Sequence, residues 1–231
     1  MFAKAQVAPA RRRHRQTSIR RHVYRLPSGT TAAENLLAVF AQATEEEFSA
    51  GRVWYSERAK QACDDIRTAA ETVGLTLSHR QAAGIIAALS PSTGWGANVA
   101  AAFELVLTGN AHVQSERFND RARRIMNGED PESVLGGRKV RSFYRNILEP
   151  SFSGPVTVDR HAVAILFGRH LNEREIKVLE SMGAYTYAAG VYRSVARRLG
   201  VKPHELQAIV WQTWRRLKGI EWRDAFDGEV F

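Results

Sequence analysis

Two side chains in the middle of the chain have the chemistry of a reactive pair. Lys139 follows the double glycine of the segment LGGRKVRSFYRNI (135–147), and Asp159 lies in the apolar segment VTVDRHAVAI (156–165). A lysine that is partly deprotonated can attack the carbon of a sugar, and a fixed carboxylate stabilises positive charge that develops beside it. The alternatives are a solvated lysine and a carboxylate that caps a helix, although the two roles of Asp159 are compatible.

The two glycines before Lys139 predict a tight turn between two helices. Glycine permits a positive φ and the close approach of a partner, and the free amides of the next helix can hold a phosphate. Gly136, Gly137, Arg138 and Arg141 are therefore candidate phosphate contacts. The alternative is a helix stop and restart with no ligand.

An excess of basic side chains indicates a polyanionic partner. The chain has 33 Lys and Arg against 24 Asp and Glu, a net charge of +9 and a pI near 10.1. Nucleic acid is the first candidate, and a basic protein that merely stays soluble is the second. Residues 1–27 hold eight of the basic residues and no acid. They predict a flexible arm that contacts phosphate through Arg11, Arg12 and Arg13, with a targeting peptide as the alternative.

Cysteine usage and hydropathy exclude several classes of protein. Cys63 is the only cysteine, so that an internal disulfide and a four-cysteine zinc or iron–sulfur site are impossible. No apolar run approaches the roughly 20 residues that span a bilayer, and the N-terminus lacks a secretory signal. We therefore expect a cytoplasmic protein without a membrane partner, near the nucleoid or in a host cytoplasm if it is viral.

The spacing of apolar residues predicts an all-α fold of about nine or ten helices. We expect Thr31 to cap the first helix, Ser78 to cap another and Pro203 to lie in the first turn of the last. One continuous helix is predicted over roughly 53–73, and only Gly154–Val158 is predicted to be extended.

The order of these segments resembles the helix–hairpin–helix DNA glycosylase superfamily, the family of endonuclease III and the oxoguanine DNA glycosylase. In that family a glycine-rich hairpin precedes a helix that carries lysine in the bifunctional members, and an apolar segment with the essential aspartate follows. The corresponding residues are Gly137 with Lys139, and the run Val158-Asp159-Arg160-His161. The resemblance covers roughly 78–168. It departs from the family where a double glycine replaces glycine, apolar residue, glycine.

The resemblance implies two helical lobes with a central cleft that receives a flipped nucleotide. After the arm, lobe one would comprise about 28–77 plus 170–231, and lobe two about 78–169. A monomer would bind double-stranded DNA and cleave the bond between base and sugar with Asp159. Lys139 would add strand cleavage through a covalent imine. No cofactor is required by this chemistry, although a monovalent cation is possible at the hairpin; the cluster cysteines of some members are absent.

Three further groups of residues are candidates for contact with DNA. Arg160 and His161 would touch backbone phosphate or the target base, with a surface arginine and a buried histidine as alternatives. The loop between two central helices would fill the gap left by the flipped base, through Ser90, Ser92, Thr93, Trp95 and Asn98. One face of the last helix would line the base pocket, through Gln207, Trp211 and Arg215. For the loop, the alternative is that Trp95 packs it onto the core. For the last helix, the alternative is a helix–helix contact.

Two other functions remain open from the sequence. The first is a related enzyme of DNA base hypermodification that acts on a modified pyrimidine. The second is a non-catalytic helical protein whose hairpin grips phosphates.

Overall fold

Helices dominate the residues that the structure, a computed structural model, describes: 26–112, 115–179 and 182–220. The all-α prediction is confirmed, because these residues contain no strand. They form α1 (Gly29–Phe40), α2 (Glu45–Val53), a π-helical segment (Trp54–Ala59), α3 (Lys60–Thr72), α4 (His79–Leu89), α5 (Trp95–Thr108), α6 (Glu116–Met126), α7 (Pro131–Val134), α8 (Arg138–Leu148), α9 (Arg160–Phe167), α10 (Glu173–Leu179), α11 (Met182–Leu199) and α12 (Pro203–Leu217). The described helices outnumber the nine or ten predicted.

Local capping explains where most helices begin. Ser78 caps α4 as predicted, since its side chain accepts a hydrogen bond from the Gln81 amide, and Pro203 opens α12. The prediction of Thr31 as a cap was wrong. The first helix begins earlier, and Ser28 Oγ accepts from the Thr31 amide at 3.1 Å. Thr31 thus supplies one of the free amides that a cap satisfies.

The continuous helix predicted over 53–73 is interrupted by the π-helical segment. A π turn holds more residues than an α turn and therefore changes which side chains point inward. Tyr55 and Ala59 are buried, while Trp54 is half-buried. The stretch predicted as extended, Gly154–Val158, has no regular secondary structure and pairs with no described strand.

Buried apolar side chains form two clusters. The central core comprises side chains from the π segment and α3–α8, including Tyr55, Ile66, Ile85, Ile125, Tyr144 and Ile147. The terminal core comprises side chains from α1, α9, α11, α12 and the segment before α9, including Leu36, Val156, Ile165, Tyr192 and Trp214. Helix α3 thus packs with the helices of predicted lobe two, and α9 packs with those of predicted lobe one. The lobe boundaries themselves stay a prediction.

Helix α12 lies between the two cores. It gives Ala208 to the central core and Leu206 and Val210 to the terminal core. Helix α2 approaches it closely at Gly51, where an added Cβ would lie 2.5 Å from Ile209 Cγ1 and 2.7 Å from Ile209 Cα. A glycine is therefore required at this crossing, and α12 is held against the chain that leads into the π segment.

Candidate functional site

The double-glycine turn joins two helices, as the sequence predicts. Gly137 has φ +77° and ψ 145°, a backbone conformation that favours glycine, and α8 begins at the next residue. No side chain caps α8, so its first amides have no intrahelical or side-chain partner among the described residues. An added Cβ at Gly136 would lie 2.9 Å from Arg121 Nη2. A guanidinium from α6 therefore packs directly on the turn.

Positive charge is concentrated around this turn. Arg138 Nη1 donates to Thr186 Oγ1 at 2.5 Å, and Arg141 Nε donates to the Leu135 carbonyl at 2.8 Å. Burial lowers the pKa of Arg121, and the positive charges of Arg117 and Arg124 lower it further. The turn is therefore a place where an anion would relieve the repulsion between cations.

The hydroxyl of Tyr185 links the start of α8 to the segment before Asp159. It donates to the Val156 carbonyl at 2.7 Å and lies 2.9 Å from Ser142 Oγ on α8. The Arg138 carbonyl oxygen and the Val158 amide nitrogen each lie 3.4 Å from the same oxygen. The Arg138 carbonyl oxygen and the Val158 amide nitrogen are therefore separated by at most twice 3.4 Å. These residues come just before Lys139 and Asp159.

Helical spacing puts Lys139 on the same stripe of α8 as Asn146, which contacts this segment. Lys139 precedes Phe143 by four residues and Asn146 by seven, so the three lie on one stripe. Asn146 Nδ2 donates to Thr157 Oγ1 at 3.0 Å. Asp159 follows Thr157 by two residues, so its backbone lies close to the residue that Asn146 contacts. Lys139 is half-buried and forms no hydrogen bond or ion pair with a described residue.

Asp159 caps α9 with one carboxylate oxygen. Its Oδ1 accepts from the Ala162 amide at 2.7 Å, and its Oδ2 accepts no hydrogen bond from a described residue. The charge acts on its neighbours: burial, and then Asp159, raises the pKa of Tyr192. Asp159 also opposes the lowering of the His161 pKa. The carboxylate is half-buried and therefore has both a structural contact and a free oxygen.

The residues predicted for the base pocket lie beside the Asp159 segment. The rings of His161 and Trp211 are 6.4 Å apart at an interplanar angle of 78°, and the Arg215 guanidinium carbon lies 4.8 Å from the Trp211 ring centroid. Burial lowers the pKa of His161, and the charges of Arg215 and Arg160 add to this effect. His161 thus favours its neutral form. Arg160 itself is exposed and pairs with Glu173 at 3.1 Å.

Gln207, the third of these residues, belongs to a buried polar network that sequence reasoning missed. Tyr55 Oη lies 3.2 Å from Gln207 Oε1 and 3.1 Å from Thr157 Oγ1, which Asn146 also contacts. Burial raises the pKa of Tyr55, so its hydroxyl stays protonated. The four side chains come from the π segment, α8, the segment before α9, and α12. No local pattern joins such distant residues, although buried polar residues on apolar faces are a weak signal.

The predicted DNA-entering loop is more structured than the sequence indicated. Helix α5 starts at Trp95, so this ring belongs to a helix; it packs 4.8 Å from Trp54 and 6.5 Å from Phe143 between centroids. Asn98 is only 2% exposed and lies inside the protein rather than at its surface. The remaining loop residues are Ser90, which ends α4 and donates to Ala87, Ser92 with φ 61°, and Thr93, which donates to Pro91.

A groove of about 600 Å³ opens beside Trp54. Its walls come from α2, the π segment, the start of α3, and Gln212 of α12. None of the predicted site residues lines it. Trp54 thus lines this groove and also packs against Trp95 and Phe143.

Several predictions concern features that the structure does not reach. Arg11, Arg12 and Arg13 lie outside the described residues. Among the residues described, no group of three or more His, Cys, Asp or Glu side chains is placed to hold a metal ion. The monovalent cation at the turn stays a prediction. None of the described helices has the length and apolar character needed to cross a membrane.

Residues 22–218 match a family described as "Family of unknown function (DUF7178)", and the chain belongs to that family. The match includes Lys139, Asp159 and every other candidate residue except the three arginines of the arm. No curated protein and no solved structure matches the chain.

Proposed function

We propose that this member of the DUF7178 family is a DNA glycosylase that removes a damaged or modified base. One observation carries the proposal: the Tyr185 hydroxyl holds the start of α8 beside the segment that ends in Asp159. This hydroxyl contacts the Arg138 carbonyl and the Val158 amide, and we propose that the Lys139 amine and the Asp159 carboxylate consequently face one basin near His161 and Trp211. We further propose that the nucleotide enters a cleft between two helical lobes, and that the protein acts as a cytoplasmic monomer on double-stranded DNA.

DNA would bind through phosphates at the double-glycine turn. The uncapped amides of α8 point out of the helix start, and Arg121, Arg138 and Arg141 lie around it without an ion pair to a described acidic side chain within 4.0 Å. Helix amides and arginines are the usual ligands of phosphate oxygens. A phosphate held here would place the neighbouring sugar next to Lys139, the second residue of α8.

Cleavage of the bond between C1′ and the base nitrogen leaves positive charge on the sugar. The Asp159 carboxylate would stabilise this charge through its free oxygen, while the base leaves with the electron pair and takes up a proton. In the monofunctional form a water molecule then adds to C1′ and loses a proton, which gives the abasic sugar. In the bifunctional form the Lys139 amine, after it has lost a proton, attacks C1′ and displaces the base. The C1′–O4′ bond then breaks, O4′ takes up a proton, and an iminium ion results. Loss of a proton from C2′ and departure of the 3′ phosphate with the C3′–O bonding electrons then cut the strand.

Reduction with borohydride tests the proposal directly. Hydride adds to the iminium carbon and converts the intermediate into a stable protein–DNA adduct, which we expect to map to Lys139. A panel of duplexes, each with one lesion or modified base, is scored for free base and for abasic sites. Release from none of them would contradict the proposal; release only of a bulky modified pyrimidine would favour the hypermodification enzyme.

A non-catalytic DNA-binding protein is the second candidate function. The concentration of arginines at the turn favours it, because that feature requires only phosphate contacts. It predicts tight, salt-dependent binding to duplex DNA with no base release, and substitution of Asp159 would then change nothing measurable.

A further inference from the structure

The side-chain amide of Gln207 is held in a fixed orientation by a chain of buried hydrogen bonds. Gln207 is 6% exposed, and its Oε1 lies 3.2 Å from Tyr55 Oη. Its Nε2 donates to no described residue. On α12 the residue lies one turn before Trp211, whose ring faces His161. One end of the amide is therefore occupied, and the other end is free beside the proposed base pocket.

The donors and acceptors of this hydrogen-bond network favour one orientation of the Gln207 amide. Asn146 Nδ2 donates to Thr157 Oγ1 at 3.0 Å, and Tyr55 Oη is within donating distance of both Thr157 Oγ1, at 3.1 Å, and Gln207 Oε1, at 3.2 Å. Of these two acceptors, only the Thr157 hydroxyl can also act as a donor. Tyr55 has a single hydrogen, and an amide oxygen can only accept, so Tyr55 donates to Gln207 Oε1. All four side chains are buried, where an unmade hydrogen bond is expensive. The network therefore opposes rotation of the amide by half a turn.

We infer that Gln207 is a specificity determinant that selects a base with a carbonyl oxygen over the matching base with an amino group. This inference rests on the proposed function. With Oε1 held by Tyr55, Gln207 offers a flipped base only the two N–H donors of Nε2. Uracil, thymine and hypoxanthine present a carbonyl acceptor where cytosine and adenine present an amino donor. An amino group facing Nε2 would leave donors opposed without an acceptor.

The first experiment compares bases that differ only in this group. Duplexes carry uracil or cytosine opposite thymine, and hypoxanthine or adenine opposite adenine, so that the opposite base is the same within each pair. Base release and equilibrium affinity are measured for all four with the full-length protein. We expect the carbonyl base to be preferred by about tenfold or more in each pair, the scale of one mispaired buried hydrogen bond.

Tyr55 acts through Gln207 and is a positioning residue. Its test therefore uses the ratio between the carbonyl base and the amino base rather than the rate for one base. Replacing Tyr55 with Phe removes the donor that fixes Oε1 and allows the amide to turn. We expect Tyr55→Phe and Gln207→Met to bring the preference close to one. Tyr144→Phe is the matched control, because Tyr144 is equally buried and its hydroxyl has no hydrogen-bond partner among the described residues. This control should keep the preference.

The two readouts separate this inference from the proposed function. A preference for the carbonyl base in affinity without any base release would support the role of Gln207 and contradict the glycosylase. Release with equal rates for both bases, or with a preference for the amino base, would overturn the role of Gln207 and leave the glycosylase standing. Equal affinity together with no release would overturn both. A preference that Tyr144→Phe abolishes as fully as Tyr55→Phe would also count against the fixed amide.

Discussion

The Asp159 carboxylate accepts a hydrogen bond from the Ala162 amide at 2.7 Å and caps α9 with one oxygen only. The capping role and the proposed catalytic role can therefore be separated by substitution. Asparagine caps a helix about as well as aspartate, whereas alanine loses the cap at about 1 kcal/mol. The carboxylate charge, in contrast, is lost in both variants.

We expect Asp159→Asn to retain the free energy of unfolding and to slow base release by at least about a hundredfold, the scale of one lost electrostatic contact in an active site. Asp159→Ala should be equally inactive and also about 1 kcal/mol less stable. Urea unfolding and single-turnover base release measure the two effects. Normal release by Asp159→Asn would remove the carboxylate from the mechanism.

Lys139 is expected to act as a nucleophile rather than only as a cation. Lys139→Arg keeps the positive charge but has no amine that can form an imine, so the borohydride adduct should disappear while duplex affinity changes little. Lys177→Arg, an exposed position on α10, serves as the control and should leave the adduct intact. Trapping of DNA by Lys139→Arg at the normal yield would assign the adduct to another residue.

The Tyr185 hydroxyl is expected to matter more for release than for binding. Tyr185→Phe breaks the links to Val156 and Ser142 and should lower the rate of base release at saturating DNA, with a loss of roughly 1–3 kcal/mol in stability. Tyr187→Phe on the same helix removes a hydrogen bond to the Pro27 carbonyl instead. This control is expected to release base at the normal rate. Equal losses of rate in the two variants would show a general effect on the helix.

His204 makes stability depend on pH. Burial lowers its pKa to about 4 from an unfolded value near 6.5. Between these values the unfolded chain binds a proton that the folded protein does not, so the stabilising effect is complete above pH 6.5 and is lost as the pH falls toward 4. The effect amounts to at most about 3 kcal/mol. Urea unfolding of wild type and His204→Gln at several pH values measures it, since their difference removes the other titrating groups. A difference that does not vary from pH 7 to pH 4 would contradict it.

The basic arm is expected to contribute phosphate contacts. Deletion of residues 1–25 removes its eight basic residues and retains Pro27, whose carbonyl accepts from Tyr187. We expect weaker duplex binding and a shallower dependence of affinity on salt, because up to about eight phosphate contacts are lost. Titrations over a range of salt concentrations measure the slope. The same slope before and after deletion would exclude the arm as a contact.

Features that depend on local sequence were predicted well. The cap at Ser78, the proline that opens α12 and the turn at Gly137 follow from the properties of single residues or short spacings. Asp159 as a helix cap belongs to the same group. Each of these is decided by neighbours within one or two turns.

Features that depend on distant residues were not predicted. The π-helical segment turns Tyr55 toward α12, and no periodicity of the sequence marks that extra residue in the turn. Asn98 was predicted to start a helix at the end of the DNA-entering loop, whereas α5 begins three residues earlier and buries it. The network from Asn146 to Gln207 likewise needs the packing of four elements, which one sequence does not reveal.

The crossing at Gly51 affects the spacing between Tyr55 and Gln207. Tyr55 follows Gly51 by one turn, and Gln207 precedes Ile209 by two residues, so the contact between the two backbones decides how far apart this tyrosine and this amide lie. A Gly51→Ala substitution would add a methyl group at this crossing and force α2 and α12 apart. We expect this to move Tyr55 and Gln207 out of hydrogen-bonding distance, and the proposed pocket would then discriminate less between bases although none of its own residues had been changed.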